Sequence, residues 1–165
     1  MPKTHLDLFK VFGEWGISYS NHEHEPTHRV EESKLLKHHI PGAHTKNLFL
    51  YTPKDTYFLV VMMCEERLDI KAFEKQLGEG RLSFASPRRL MERLGIMPGS
   101  VSPFCVINDP SHQVTVILDA DMMTHEILNY HPLRNDMTVS ISNADFRKFF
   151  ERTGHKPLIM TLPKI

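Results

Sequence analysis

Apolar residues along this chain follow two rhythms, and the changes between them outline its elements. Leu8, Phe9 and Phe12 follow a T-x-x-D pair, Thr4 and Asp7, at helical spacing, so residues 4–15 read as a capped helix ended by Gly16. Ile17, Tyr19 and Asn21 then alternate toward Glu25 and Pro26, as in a strand. Val30, Leu35 and Leu36 among charges predict a short amphipathic helix over 30–39, closed by Pro41-Gly42, with GAHTKN following as a loop. The runs 48–51 and 57–64, joined by TPKD, predict a hairpin. Residues 69–77 predict a helix, and Ser86-Pro87 is an N-cap and N1 pair for another that reaches Leu94 and stops at Gly95.

Residues 103–107 and 114–118 read as strands around the turn Asn108-Asp109-Pro110, and 120–128 as a helix. A strand over 138–141 leads into S-x-x-D, Ser142 and Asp145, and a helix with Phe146, Phe149 and Phe150 on one face; 157–162 is a last strand. Irregular alternation with hairpins predicts an α+β fold, a mixed, largely antiparallel sheet core flanked by helices, in one domain over 1–165.

Composition narrows the function. The 165 residues carry 20 basic and 20 acidic side chains, so any RNA partner must be recognised locally and not through a general basic surface. The longest apolar run, 57–64, is far too short for a membrane span, and MPKTHLDLFK lacks the apolar stretch of a secretory signal. A cytoplasmic protein with no membrane association is expected. Cys64 and Cys105 sit in apolar runs and read as reduced, buried small hydrophobes. His22 and His24 share a strand face near His28, but no cysteine accompanies them, so these histidines read as solvated surface residues; no metal or other cofactor is expected.

No G-x-S-x-G elbow, P-loop or C-x-x-C occurs. What remains is polar and glycine positions placed on loops: His44 to Asn47, Pro98 to Pro103, Asn108-Asp109, and His131-Pro132 with Asn135. Taken alone, Lys46 reads as a solvated lysine and Asn47 as a turn residue before a strand.

The blocks PGAHTKNLFL, LSFASPRRLMERLG, PGSVSPF, IND and NYHPLRN, in this order and over essentially the whole chain, resemble the YbaK-like, prolyl-tRNA-synthetase-associated editing family, in particular its free-standing deacylases of alanyl-tRNA(Pro). The resemblance implies an antiparallel sheet core with a cleft for the 3′-terminal adenosine and its esterified amino acid. It implies that Lys46 and Asn47 hold the terminal nucleotide and orient the ester. It also implies that the loop Gly99, Ser100, Val101, Ser102 and Pro103 closes on the substrate, and that His131 stands near it. Mischarged tRNA is the implied partner, and prolyl-tRNA synthetase a further one.

Physical chemistry is compatible with these roles. Lysine is a mobile cation suited to a phosphate, and glycine lets backbone N–H groups approach an ester oxygen that becomes negative. Ile40 and Phe84, near matched blocks, are expected as pocket walls. Arg81, Arg88 and Arg89 are expected to face the acceptor stem or to form one charged helix face. Two other classes remain open on sequence: a non-catalytic RNA-binding or synthetase-associated module, and a deacylase for cysteinyl- or seryl-tRNA.

Overall fold

The computed structural model describes residues 1–26 and 40–165. Helix α1 (His5–Glu14) starts on the Thr4/Asp7 capping box, and strand β1 (Tyr19–Glu23) follows. Strands β2 (Ala43–Tyr51) and β3 (Tyr57–Met63) form the hairpin, with Asp55 in its turn at φ 64°. Helix α2 (Ile70–Leu77), strand β4 (Ser83–Phe84) and helix α3 (Pro87–Leu94) come next; Asp69 and Ser86 accept backbone N–H groups as the two N-caps. The chain continues through β5 (Val114–Asp119), β6 (Ile127–Tyr130), β7 (Met137–Ser142), α4 (Asn143–Thr153) and β8 (Leu158–Met160).

Among the described residues the strands form one sheet in the order β1-β7-β6-β2-β3-β5-β8, with β4 beside β2. The pairs β1/β7, β7/β6, β2/β3 and β2/β4 are antiparallel; β6/β2, β3/β5 and β5/β8 are parallel. The sheet is therefore mixed, as the irregular alternation implies. Strand β3 lies inside it, between β2 and β5. Its alternate residues enter two cores, Tyr57, Leu59 and Val61 on one face and Phe58, Val60 and Met62 on the other, which explains its unbroken apolar run. On the first face Phe12, Phe146 and Phe149 meet Phe104 edge-on at 5.2–6.2 Å, fixing α1 and α4 against the sheet.

Three local expectations are corrected, and one element was not expected. GAHTKN is not a loop, since β2 already begins at Ala43. Residues 103–108 form a 3-10 helix instead of a strand, because Ser102 caps it and Pro103 occupies its first turn. The helix expected over 120–128 is a single 3-10 turn, Met122–Thr124, followed by β6. The two-residue β4 has no counterpart in the sequence reading. The helix expected over 30–39 lies outside the described residues, apart from its closing Pro41-Gly42.

Candidate functional site

Strand β2 joins two halves of the sheet. Its first residues pair with β6 through two partners alone, Ala43 with Leu128 and His44 with Asn129, and from Thr45 onward it pairs with β3. A narrow cleft of about 40 Å³ opens at this joint. His44, Thr45, Asn47 and Cys64 line it from one half; Asn129, Tyr130, His131 and Thr138 line it from the other.

Hydrogen-bond bookkeeping gives the cleft its character. Asn47 Nδ2 donates to the Val101 carbonyl at 3.0 Å, while its Oδ1 is buried with no hydrogen-bond partner. Thr45 Oγ1 donates to the Asn129 carbonyl at 2.7 Å, so it presents lone pairs to the cleft. His131 Nδ1 lies 2.7 Å from the Met137 carbonyl, which can only accept; the proton is on Nδ1, and Nε2 is the acceptor nitrogen of the neutral ring. Burial pushes His131 below the ordinary imidazole value, and the nearby His24 adds to this against the Met137 hydrogen bond. The walls are rich in acceptors. Such a lining suits a group that brings donors.

Lys46 stands one position away on β2, opposite Met62, and strand alternation turns it from the face of Asn47. It is half-buried and makes no ion pair with the described residues; burial lowers its pKa, and Cys64 is the foremost neighbour opposing that shift. Its neighbours on β2, Thr45 and Asn47, line the cleft, and Lys46 does not.

The expected site residues separate into two groups. Asn47, His131 and the Val101 carbonyl come together. Within the 98–103 loop, Gly99 adopts φ +87° and lies toward Asn135, Ser100 closes a turn onto the Met97 carbonyl, buried Ser102 caps Phe104, and Pro103 starts the 3-10 helix. The hydrogen bond from the loop to Asn47 uses the Val101 carbonyl. Ile40 is buried, with its carbonyl 2.7 Å from His44 Nε2. Phe84 is 59% exposed on β4, opposite Leu50 and away from Asn47. Arg81 is exposed, Arg88 pairs with Glu92, and Arg89 is held by Asp55 and the Tyr57 hydroxyl over the Tyr51 ring.

The sequence reading passes over several residues of this site. His22 and His24 are half-buried, not solvated: His22 Nε2 is 3.1 Å from Ser140 Oγ, and His24 Nε2 is 2.8 Å from Thr138 Oγ1. Cys64 is half-buried at the cleft, whereas Cys105 is buried and its thiol pushed up to about 12 by desolvation. The signal for the first pair was legible as H-x-H facing T-x-S, polar alternation on adjacent strands. His24, Glu25 and His28 also show H-E-x-x-H spacing, which binds zinc when helical. Here His24 follows a strand, its Nδ1 faces the Glu25 carbonyl, and His28 lies outside the described residues. Among the described residues, Glu66, Asp119 and Asp121 cluster as potential metal ligands, and the Lys164 ammonium already sits among them at 2.5–2.8 Å. No helix among them is long and apolar enough to cross a membrane.

Fold and site together define an α+β domain with a narrow, acceptor-lined cleft at the joint of its sheet. Residues 24–149 match the family described as the aminoacyl-tRNA editing domain, and the chain belongs to that family. It is 34% identical to the prolyl-tRNA editing protein ProX of Acetoanaerobium sticklandii, over 84% of this chain and 85% of the relative. It is also 34% identical to a prolyl-tRNA synthetase associated domain-containing protein of Danio rerio, over 84% of this chain and 77% of that one. A solved structure described as a candidate trans-editing enzyme for prolyl tRNA synthetase superposes with a TM-score of 0.70 at 16% identity, covering 99% and 98% of the two chains.

Proposed function

We propose that this chain is a deacylase acting in trans on mischarged tRNA(Pro), hydrolysing the ester of a small amino acid, alanine foremost. The observation that carries the reading is the buried, unpartnered Oδ1 of Asn47, set among the acceptors Thr45 Oγ1 and His131 Nε2 in a cleft of about 40 Å³. An aminoacyl ester offers what the buried Asn47 Oδ1 lacks, the N–H groups of its α-ammonium. Holding that group beside the joint places the ester carbonyl at the cleft mouth, where water attacks it. The ribose oxygen leaves with the electron pair of the broken C–O bond and takes a proton.

The reading uses water and no covalent intermediate, so orientation of the ester supplies much of the acceleration. Lys46, a half-buried cation next to Asn47 on β2, takes the phosphate of the terminal nucleotide on this reading. The partner on this reading is the acceptor end of tRNA, with prolyl-tRNA synthetase a second one and the cytoplasm as the compartment. A single domain suffices. The test is deacylation of purified alanyl-, prolyl-, cysteinyl- and seryl-tRNA. Preferential loss of alanine from tRNA(Pro) supports the reading. Release of cysteine or serine instead moves the specificity, and binding without hydrolysis makes the chain an RNA-binding module.

A further inference from the structure

The joint between the two half-sheets is held by little backbone. Two residue pairs connect β6 to β2, and the cleft lies across them. Asn129 supplies what the ladder does not. It is 3% exposed, and its Nδ2 donates to the Pro41 carbonyl at 3.1 Å and to the Ala43 carbonyl at 3.0 Å, so both side-chain protons are used on the strand that begins β2. Its Oδ1 accepts from Ser140 Oγ on β7 at 2.5 Å. With that proton spent, Ser140 Oγ can only accept from His22 Nε2, 3.1 Å away on β1. The Asn129 backbone carbonyl takes the Thr45 hydroxyl. One side chain thus links β1, β7 and β6 to the start of β2. Gly42 leaves room for it: a Cβ there would stand 2.8 Å from Ile127 Cγ2 and 3.0 Å from Asn129 Nδ2.

We propose that Asn129 is a specificity-determining positioning residue, which by stapling the two half-sheets across the cleft sets the cleft's width. Its two ends reach the opposite walls. One wall carries Thr45 and Asn47, the other His131 and Thr138, so the separation of the half-sheets is the separation of the groups that enclose the aminoacyl end. A site this narrow excludes a larger residue by steric limit, and steric limits vanish when walls can part. Loosening the staple therefore relaxes discrimination before it abolishes catalysis. The proposal rests on the deacylase reading given above.

The experiment compares wild type with Asn129→Ala, Ser140→Ala and Ser140→Thr. kcat and KM are measured separately on alanyl- and prolyl-tRNA(Pro), and amide hydrogen exchange is followed at residues 43–45 and 128–129. Ser140→Ala removes the donor to Asn129 while leaving the backbone of β7, and it serves if Asn129→Ala does not fold. Ser140→Thr restores the hydroxyl. The expected result is faster exchange at the joint and a fall of about tenfold or more in the alanyl-to-prolyl ratio of kcat/KM for the two alanine variants, in the range of one steric contact, with the Thr variant near wild type. An unchanged ratio in folded Asn129→Ala or Ser140→Ala overturns the proposal, as does equal loss on both esters. A wild type that cleaves none of the alanyl-, prolyl-, cysteinyl- and seryl-tRNAs instead defeats the deacylase reading, and unchanged exchange at the joint in the variants removes the staple as well.

Discussion

His131 Nδ1 and the carbonyl oxygen of Met137 stand 2.7 Å apart, and this contact decides which nitrogen of the imidazole carries the proton. The ring acts as a neutral acceptor through Nε2. Since burial depresses its pKa, the folded protein keeps His131 neutral where an unfolded chain begins to protonate. Stability contributed by this group is therefore full above the ordinary imidazole value of about 6.5 and falls as pH drops through it toward the lower folded value. Activity follows the folded value. The acid limb of kcat/KM is expected below about pH 6.5, and His131→Ala is expected to remove that limb while lowering the rate by roughly ten- to a hundredfold, the loss of one hydrogen bond in the site. A pH–rate profile of both proteins checks this.

Lys46 carries charge in a half-buried position without an ion pair among the described residues, an arrangement that costs stability. Lys46→Met is expected to raise thermal stability slightly, by about 0.5 kcal/mol, while nearly abolishing deacylation. The salt dependence of tRNA binding should also weaken by about one unit of slope if the lysine meets a phosphate. Lys46→Arg should recover binding better than turnover.

Asn47→Asp keeps the shape of the side chain but loses the N–H that Val101 accepts. Placing a carboxylate oxygen against that carbonyl is expected to destabilise by about 1–3 kcal/mol and to free the 98–103 loop. Urea unfolding measures the first effect, and proteolysis at the loop the second.

Gly99 has φ +87°, and a Cβ built there meets only Asn135 Nδ2 at 3.6 Å, an ordinary contact. Substitution is thus limited by backbone conformation and not by space. Gly99→Val is expected to impair folding and turnover, Gly99→Ala to cost about 1–2 kcal/mol, and Gly99→Asn to cost less, because asparagine tolerates the left-handed region. Thermal unfolding of the three variants orders them.

Lys164 closes a cage of Glu66, Asp119 and Asp121, and Asp119 is fully buried. Lys164→Met leaves these carboxylates to repel one another and should destabilise by about 1–3 kcal/mol, less than a fully buried pair because the lysine is partly exposed. Urea unfolding of the two proteins measures the difference.

Local signals in the sequence were read well where side chains cap or alternate. Thr4 with Asp7, Ser86 with Pro87 and Ser142 with Asp145 each mark a helix start, because capping depends on neighbours in the chain. The run 103–108 misled because its apolar residues fill a core around Phe104, a tertiary demand that a 3-10 helix meets as readily as a strand. Asn47 and His131 belong to blocks quoted from the sequence, and both line one cleft. That Asn129 and Thr138 line it with them could not be read along the chain, since it depends on which strands β6 and β7 meet, and a parallel β6/β2 contact joins residues more than 80 positions apart.

That long separation has a practical consequence. Thr45 and Asn47 come from before Cys64, and His131 and Thr138 from after Glu126, so neither half of the chain contains the chemistry alone. A cut in the exposed segment around Gly78 and Gly80 divides the polypeptide between these contributions. The two fragments would be inert apart and regain turnover only as β3 finds β5 and β1 finds β7, making ester cleavage a direct readout of fragment complementation.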